Sequence, residues 1–159
     1  MEKNTESAFK WIVGLLKDNN IPFQISGGFA ARLYGSTRPL FDIDIDIPDS
    51  CFEKLIPFVK DYMVYGPERF RDECWDLLLM TLKYENQEID ISGSETIKLF
   101  NHETKKWEPC DVDLNDNEEK EVYGEKVPVI KKQYLIAYKN VIRRPTDLED
   151  IQMLSEKFS

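Results

Sequence analysis

Histidine and cysteine are scarce in this chain of 159 residues. His102 is the only histidine, and the three cysteines, Cys51, Cys74 and Cys110, stand far apart. No Cys-x-x-Cys pair and no combined Cys/His spacing occurs, so the pattern argues against a zinc site. An odd number of dispersed cysteines gives no sign of a disulfide framework, and a reduced, cytoplasmic location is the expectation.

Positive charge and long apolar runs are also lacking. The chain has 21 Lys and Arg against 30 Asp and Glu, a formal net charge of −9 and a pI near 4.7. Strong non-specific binding to nucleic acid or to an anionic membrane needs a basic surface, so the balance argues against both partners. No apolar run approaches the length of a membrane span, and the polar start MEKNTESAFK predicts no signal peptide. A nucleotide site is still allowed, because it needs only a few local cations and a metal ion.

The composition is that of an ordinary globular protein, and we expect a single domain over residues 1–159. A hydrophobic content of 42% suffices for a substantial core, and no repeat or linker divides the chain. Apolar spacing predicts helices over 6–18, 28–34 and 51–60, with two closing helices within 131–158. Alternation and turn signals predict strands at 21–26, 75–84 and 87–92, and an exposed acidic loop at 111–121. These elements predict an α/β (α+β) domain in which helices pack on a small mixed β-sheet.

Several local details are predicted with this outline. The spacing of Ser50 and Glu53, and of Thr146 and Glu149, predicts capping boxes at two helix starts. Residues 96–109 form either a short helix or a hairpin around residues 101–104. The last helix would bury an apolar stripe. Its members are Leu148, Ile151, Leu154 and Phe158.

The most informative segment is residues 26–48, SGGFAARLYGSTRPLFDIDIDIP. Asp42, Asp44 and Asp46 alternate with isoleucines, which predicts a strand with the isoleucines facing the core and three carboxylates on the other face. Asp is a poor strand former and like charges on one face repel. A divalent cation would offset that repulsion, since Mg²⁺ takes hard oxygen ligands. We predict Asp42 and Asp44 as metal ligands, whereas Asp46 alternatively caps the following turn. The competing interpretation is a solvated edge strand with incidental acids.

A Gly-Gly pair precedes this strand at a strand-to-helix turn. Gly27-Gly28 together with Asp42-Ile43-Asp44 resembles the nucleotidyltransferase superfamily with a DNA polymerase β-like core. In that family a Gly-Gly or Gly-Ser turn opens a helix, and an Asp-x-Asp pair follows on a strand roughly a dozen residues later. Thr37-Arg38 is placed as in the small minimal and lincosamide-type members. The resemblance implies a nucleotidyltransferase-like fold and transfer of a nucleoside monophosphate from a nucleoside triphosphate, with Mg²⁺ or Mn²⁺ as cofactor.

The resemblance also implies a third acid on a neighbouring strand. In Gln87-Glu88-Ile89-Asp90-Ile91 the alternation places Glu88 and Asp90 on one face. Asp90 fits best, with Glu88 as its rival. Such an acid would hold the metal or act as the base toward the acceptor hydroxyl. The competing interpretation is the polar outer face of a hairpin.

Phosphate-binding residues are predicted at the Gly-Gly turn and beyond it. The backbone of Gly27 and Gly28 would approach a phosphate, and Ser26 would add a hydroxyl; a tight turn with no ligand is the alternative. Arg38 stands just before the Asp strand and is predicted to contact phosphates. Lys139, on the first closing helix, is predicted to reach the triphosphate, with an exposed helix lysine as the alternative.

No sequence motif identifies the acceptor of the nucleoside monophosphate. The net charge of −9 and the dispersed basic residues favour a small hydroxylated molecule or a protein side chain over tRNA or DNA. The acidic stretch 111–121 would steer a cationic acceptor, such as an aminoglycoside-like amine, or would only aid solubility. The alternative function is a catalytically degenerate module that binds a nucleotide or a protein partner, as in a toxin–antitoxin pair.

Overall fold

A mixed β-sheet forms the centre of the computed structural model, which describes residues 2–156. The helices are α1 (Glu2–Asp18), α2 (Gly27–Leu33), α3 (Phe52–Val59), α4 (Lys132–Ile142) and α5 (Pro145–Glu156). The strands are β1 (Gln24–Ile25), β2 (Asp42–Ile47), β3 (Met63–Arg71), β4 (Trp75–Tyr84), β5 (Gln87–Gly93), β6 (Lys98–Asn101), β7 (Lys106–Pro109), β8 (Asn117–Val122) and β9 (Glu125–Ile130). This α+β architecture is the predicted fold class.

The order of the strands places the Asp strand in the middle of the sheet. The order is β7-β6-β4-β5-β2-β1-β9-β8, and β3 pairs with β4 outside this path. Strand β2 runs parallel to β5 and antiparallel to β1, while β1 and β9 are parallel. Because β2 has a neighbour on each side, the interpretation of a solvated edge strand is wrong.

The core lies on the apolar face of β2. Ile43, Ile45 and Ile47 are fully buried, and they belong to one cluster with side chains of α1, α2 and α3. Phe9 of α1 stacks on Phe29 of α2 with 5.4 Å between the ring centroids. Burying each isoleucine side chain contributes about 1.5–3 kcal/mol, which fixes the face that β2 turns toward the helices. Within residues 2–156 no helix is both long and apolar enough to span a membrane.

The acidic stretch predicted as a loop is partly a strand. Its second half forms β8, which pairs antiparallel with β9 through a turn at Tyr123 and Gly124, both with positive φ. Exposed glutamates are tolerated there because β8 lies at the edge of the sheet, where charged side chains discourage further pairing. Acidic composition alone therefore does not distinguish an exposed loop from an edge strand. Of the two alternatives for residues 96–109, the hairpin, β6 and β7, is correct.

Both predicted capping boxes are wrong. A 3₁₀ turn, Asp49–Cys51, precedes α3, and no side chain caps that helix. Helix α5 begins at Pro145, one residue before the expected start, so Thr146 is already inside it. The carboxylate of Asp147 instead accepts the backbone N–H of Arg144 at 3.0 Å. Proline suits the first helical position because its missing N–H has no partner there.

The buried side of α5 also differs from the predicted stripe. Leu154 is buried, but Leu148 is 50% exposed, and Phe158 lies outside the described residues. Asp147 and Asp150 are fully buried instead. Sequence periodicity misses this face because it counts apolar residues, whereas these two carboxylates are buried through pairing with cations.

Candidate active site

Three carboxylates meet across the parallel strands β2 and β5. Asp44 lies directly opposite Asp90, and Asp42 lies opposite Glu88. Asp42, Asp44 and Asp90 all line one cleft, of which Glu88 is not part. Glu88 is exposed, whereas Asp90 is half-buried and accepts a hydrogen bond of 2.8 Å from the Thr81 hydroxyl. The structure thus brings together the three acids expected from the sequence.

The Gly-Gly turn packs directly on Asp44. Gly27 has a φ of +58°, and a Cβ at this position would lie 2.5 Å from Oδ2 of Asp44. The Gly28 N–H donates to the same oxygen at 3.0 Å. Only glycine accommodates both the left-handed backbone and the close approach. In this structure the N–H of Gly28 is engaged by a carboxylate, so its contact with a phosphate stays a prediction.

A hydrogen bond joins Ser26, the residue before this turn, to Asp46 of β2. The Ser26 hydroxyl does not cap α2; it donates to Oδ1 of Asp46 at 3.1 Å. The side-chain amide of Gln24 donates to the other carboxylate oxygen of Asp46 at 3.0 Å. Burial raises the pKa of Asp46 to about 6, and these two hydrogen bonds partly offset the increase. The carboxylate of Asp46 therefore links β2 to β1 and to Ser26, the residue before the Gly-Gly turn.

Burial, and to a smaller extent neighbouring carboxylates, raise the pKa values of all three acids. Burial, and then the charges of Asp90 and Asp42, raise the pKa of Asp44 to about 8, although the N–H groups of Phe29 and Gly28 act in the opposite direction. Burial, and then Asp90 and Glu88, raise the pKa of Asp42 to about 6.

Burial likewise raises the pKa of Asp90, against the hydrogen bond from Thr81. Among the ion pairs of residues 2–156, none involves Asp42, Asp44 or Asp90. No described cation therefore pairs with these three carboxylates.

The cleft itself has a volume of about 910 Å³ and two kinds of wall. Apolar side chains of the β4–β6 region and of α4 form one side. They include Trp75, Leu77, Leu99, Tyr138 and Val141. Carboxylates of β7 and of the segment that follows it form another part of the wall. These are Glu108, Asp111, Asp113 and Asp116. The cleft therefore combines an apolar wall with an acidic one, in which Asp116 is already paired with Lys131.

The predicted phosphate contacts Arg38 and Lys139 both belong to a buried ion-pair network. Arg38 binds Asp150 through two hydrogen bonds of 2.8 and 2.7 Å. Lys139 is 1% exposed, and its Nζ lies 3.1 Å from both Asp147 and Asp150. Arg38 lines the cleft, whereas Lys139 does not. A direct contact of Lys139 with a triphosphate would require it to leave these carboxylates, and that role stays a prediction.

Burial by itself would raise the pKa values of the two aspartates of α5. The Arg144 hydrogen bond and the Lys139 charge outweigh it at Asp147 and lower its pKa. At Asp150 the same reversal comes from Arg38 and Lys139. Both aspartates are therefore ionised and paired with cations, whereas the three acids on β2 and β5 have no described cationic partner.

Arg144 also lines the cleft, a position that no sequence pattern predicted. Its guanidinium carbon lies 6.0 Å from the ring centroid of Trp75, and Asp147 holds its Nε at 2.7 Å. The only sequence signals were the Arg143-Arg144 pair and the spacing of Asp147 and Asp150 at three residues, which places both acids on one helix face.

No protein-family model and no curated protein matches the chain. Solved structures match it over nearly its whole length. A protein of Thermotoga maritima (TM1012) described as a nucleotidyltransferase is 19% identical with a TM-score of 0.74, over 99% of this chain and 96% of that one. The lincosamide antibiotic adenylyltransferase LnuA, bound to lincomycin, is 22% identical with a TM-score of 0.60, over 95% of each chain.

A third similar structure is ANT(2'')-Ia in complex with adenylyl-2''-tobramycin. It is 15% identical with a TM-score of 0.62, over 98% of this chain and 90% of that one. The described chain therefore has the fold of the nucleotidyltransferases, as the resemblance of residues 26–48 implied. Asp42, Asp44 and Asp90 lie on β2 and β5, in the middle of its sheet.

Proposed function

We propose that this chain is a metal-dependent nucleotidyltransferase that moves a nucleoside monophosphate from a nucleoside triphosphate to a small-molecule or protein acceptor. The observation that carries the proposal is the convergence of Asp42, Asp44 and Asp90 on adjacent parallel strands in one cleft. The Gly27-Gly28 turn against Asp44 supports it, as does the fold. Nucleotidyl transfer needs such a group of acids because its barrier is the charge that develops on phosphate oxygens.

The donor set fits Mg²⁺ or Mn²⁺. Asp42, Asp44 and Asp90 supply hard oxygen ligands that no described cation pairs with, and the Gly28 N–H binds Oδ2 of Asp44. Among residues 2–156 no group of three acidic, His or Cys side chains is placed to hold a metal ion by itself. The proposed ion would therefore need substrate phosphates and water as further ligands, as Mg²⁺ usually does when it binds one or two carboxylates. When bound, the ion would neutralise charge on the triphosphate oxygens.

The three acids would have different roles in metal binding and proton transfer. Asp42 and Asp44 would hold the metal, and Asp90 would complete the ligand set or take the proton of the acceptor hydroxyl. Its raised pKa makes the carboxylate of Asp90 a stronger base than that of an ordinary aspartate. The hydrogen bond from Thr81 would keep its carboxylate oriented toward the cleft.

A small cationic molecule is the acceptor that the cleft favours. Its acidic wall would attract an amine, and its apolar wall would cover a ring or alkyl body. The names of two similar structures, a lincosamide adenylyltransferase and a complex with adenylyl-tobramycin, support a small-molecule acceptor. A protein side chain remains the second option, and a nucleic acid is disfavoured by the net charge of −9.

A nucleotide screen tests the proposal. Nucleoside triphosphates are offered with Mg²⁺ or Mn²⁺, binding is followed by thermal shift, and pyrophosphate release is measured with a panel of hydroxylated amines. We expect metal-dependent binding by the wild type. The double variant Asp42→Asn with Asp44→Asn should stay folded and lose both signals, whereas Asp61→Asn, an exposed acid outside the cleft, should change neither.

Two results would contradict the proposal in different ways. If the double variant binds nucleotide and metal as well as the wild type does, the site lies elsewhere. If the wild type binds nucleotide with metal but releases no pyrophosphate with any acceptor, the chain is a nucleotide-binding module, the alternative function considered above.

A further inference from the structure

Five charged side chains of alternating sign form a continuous chain beside the cleft. In order they are Arg38, Asp150, Lys139, Asp147 and Arg144, and we call them the charge chain. We propose that the charge chain fixes Arg38 and Arg144 as a two-point binding site for the phosphate chain of the nucleotide. The inference rests on the proposed function and adds two assignments: Arg144 contacts phosphate, and Lys139 positions the acids that hold the arginines.

Arg38 and Arg144 supply the positive charge of the cleft lining in the described chain. Among the described residues that line it, only Arg38 and Arg144 carry positive charge. The rest of the charged lining is acidic, so a triphosphate has few other places for its anionic oxygens apart from the metal. Guanidinium groups suit this task because they bind phosphate oxygens through two parallel hydrogen bonds.

Both arginines are held in the same manner. Arg38 gives its Nε and Nη2 to the two oxygens of Asp150, and Arg144 gives its Nε and Nη2 to the two oxygens of Asp147. Each pairing uses two of the five N–H donors of a guanidinium and leaves the others for a ligand. The backbone N–H of Arg144 binds Asp147 as well, which fixes the start of α5 relative to this side chain.

Lys139 keeps the two acids together. Its Nζ lies 3.1 Å from Asp147 and 3.1 Å from Asp150, both of which are fully buried. Without this ammonium, two buried carboxylates would stand close together with like charge, an arrangement that strongly disfavours ionisation. The Ser36 hydroxyl adds a hydrogen bond of 2.9 Å to Asp150. The spacing of Arg38 and Arg144 therefore depends on a residue that does not itself line the cleft.

The sign of a charge effect separates positioning from simple electrostatics. Asp147→Asn removes a negative charge beside the proposed phosphate site. If Asp147 acted only through its charge, the variant would bind an anion more tightly. If Asp147 positions Arg144, the variant should bind the anion more weakly, because an amide holds a guanidinium with a weaker, uncharged hydrogen bond.

The experiment uses tripolyphosphate with Mg²⁺, and ATP with Mg²⁺, as calorimetric probes of the full chain. Arg144→Lys keeps the charge but loses the two-pronged geometry, and we expect about tenfold weaker binding of both probes. Asp147→Asn should weaken binding several-fold. The matched control is Arg143→Lys, a neighbouring arginine that pairs with Glu103 and does not line the cleft; its binding should equal that of the wild type.

The outcomes are distinguishable. If the wild type binds the probes and Arg144→Lys binds them equally well, this inference is wrong and the proposed function stands. Tighter binding by Asp147→Asn would overturn the positioning role. Should Asp147→Asn fail to fold in a thermal melt, Arg144→Lys against Arg143→Lys decides the question. A wild type that binds neither probe, nor any other nucleoside triphosphate with Mg²⁺ or Mn²⁺, would overturn both this inference and the proposed function.

Discussion

The backbone of Gly27 touches the carboxylate of Asp44, so closely that a Cβ on Gly27 would lie 2.5 Å from Oδ2. The glycine is the first residue of α2, and the aspartate lies on the following strand, β2. Their contact couples the conformation of the Gly-Gly turn to the position of a proposed metal ligand. Any side chain at Gly27 must displace Asp44 or move the turn.

Gly27→Ala should therefore damage the site and not only strain the backbone. The left-handed conformation alone costs about 1–2 kcal/mol for a residue with a Cβ, and the contact with Asp44 adds to that cost. Gly124→Ala is the matched control, because Gly124 also has a positive φ, +81°, but its Cβ would meet no atom within 4 Å. We expect urea unfolding to show a larger loss for Gly27→Ala, together with loss of metal-dependent nucleotide binding. Equal losses and intact binding would contradict the coupling.

The stability of the metal-free protein should fall as the pH rises. The pKa of Asp44 is raised from 3.8 to about 8, so the folded protein binds this proton more tightly than the unfolded chain does. The resulting stabilisation is complete below about pH 4 and is lost as the pH rises through about 8. Asp44→Asn should remove much of this dependence and be more stable than the wild type at pH 8, by about 1–3 kcal/mol.

Urea unfolding in the presence of a chelator, between about pH 5 and pH 8.5, measures this effect. Asp61→Asn, an exposed aspartate outside the cleft, should follow the wild-type profile. Adding Mg²⁺ should flatten the wild-type profile and leave that of Asp44→Asn nearly unchanged, because the cation binds the ionised carboxylate. Parallel profiles for the wild type and Asp44→Asn would show that folding does not raise the pKa of Asp44, and would contradict this prediction.

Asp90 and Glu88 should differ in their effect on transfer. Asp90→Asn keeps an oxygen for the Thr81 hydroxyl but loses the base, so pyrophosphate release should fall by about a hundredfold or more. Nucleotide binding should change far less. Glu88→Gln is the control on the same strand face, and its exposed position outside the cleft predicts a change of less than about threefold. A larger loss for Glu88→Gln than for Asp90→Asn would reverse the assignment.

Nucleic acids should bind poorly. A net charge of −9 and an acidic cleft wall provide few phosphate contacts, and such contacts generate salt-sensitive affinity. RNA and DNA oligomers titrated at low salt should show weak binding, and a labelled triphosphate should not label their ends. Tight, salt-sensitive binding of RNA with label transferred to an RNA end would make the acceptor a nucleic acid.

Local patterns in the sequence predicted much of the fold. The strands β4 and β5 and the turn between them follow from alternation and from Glu85-Asn86, whose φ values of 46° and 70° are those of a tight hairpin turn. The alternating isoleucines fixed the buried face of β2. These signals succeed because they depend on one residue and its near neighbours.

Local patterns failed where two structures share one composition. Ser50 and Thr146 have the spacing of capping residues, yet neither caps a helix. A 3₁₀ turn that includes Ser50 precedes α3, and α5 already begins at Pro145. The glutamates of β8 suit a loop and an edge strand equally well. Pairing with β9 decides between them, and that pairing is not visible in β8 itself.

Alternation along the chain is enough to predict that Asp42 and Asp44 share a face, that glycine precedes them at a turn, and that Asp90 lies on a strand of similar pattern. The contact of Asp44 with Asp90 across two strands, and the charge chain of Arg38, Lys139 and the acids of α5, appear only in the folded protein. The difference is one of distance along the chain. Strand register and the pairing of buried charges join residues that are far apart in sequence, and their partners are selected by packing and desolvation in the folded protein.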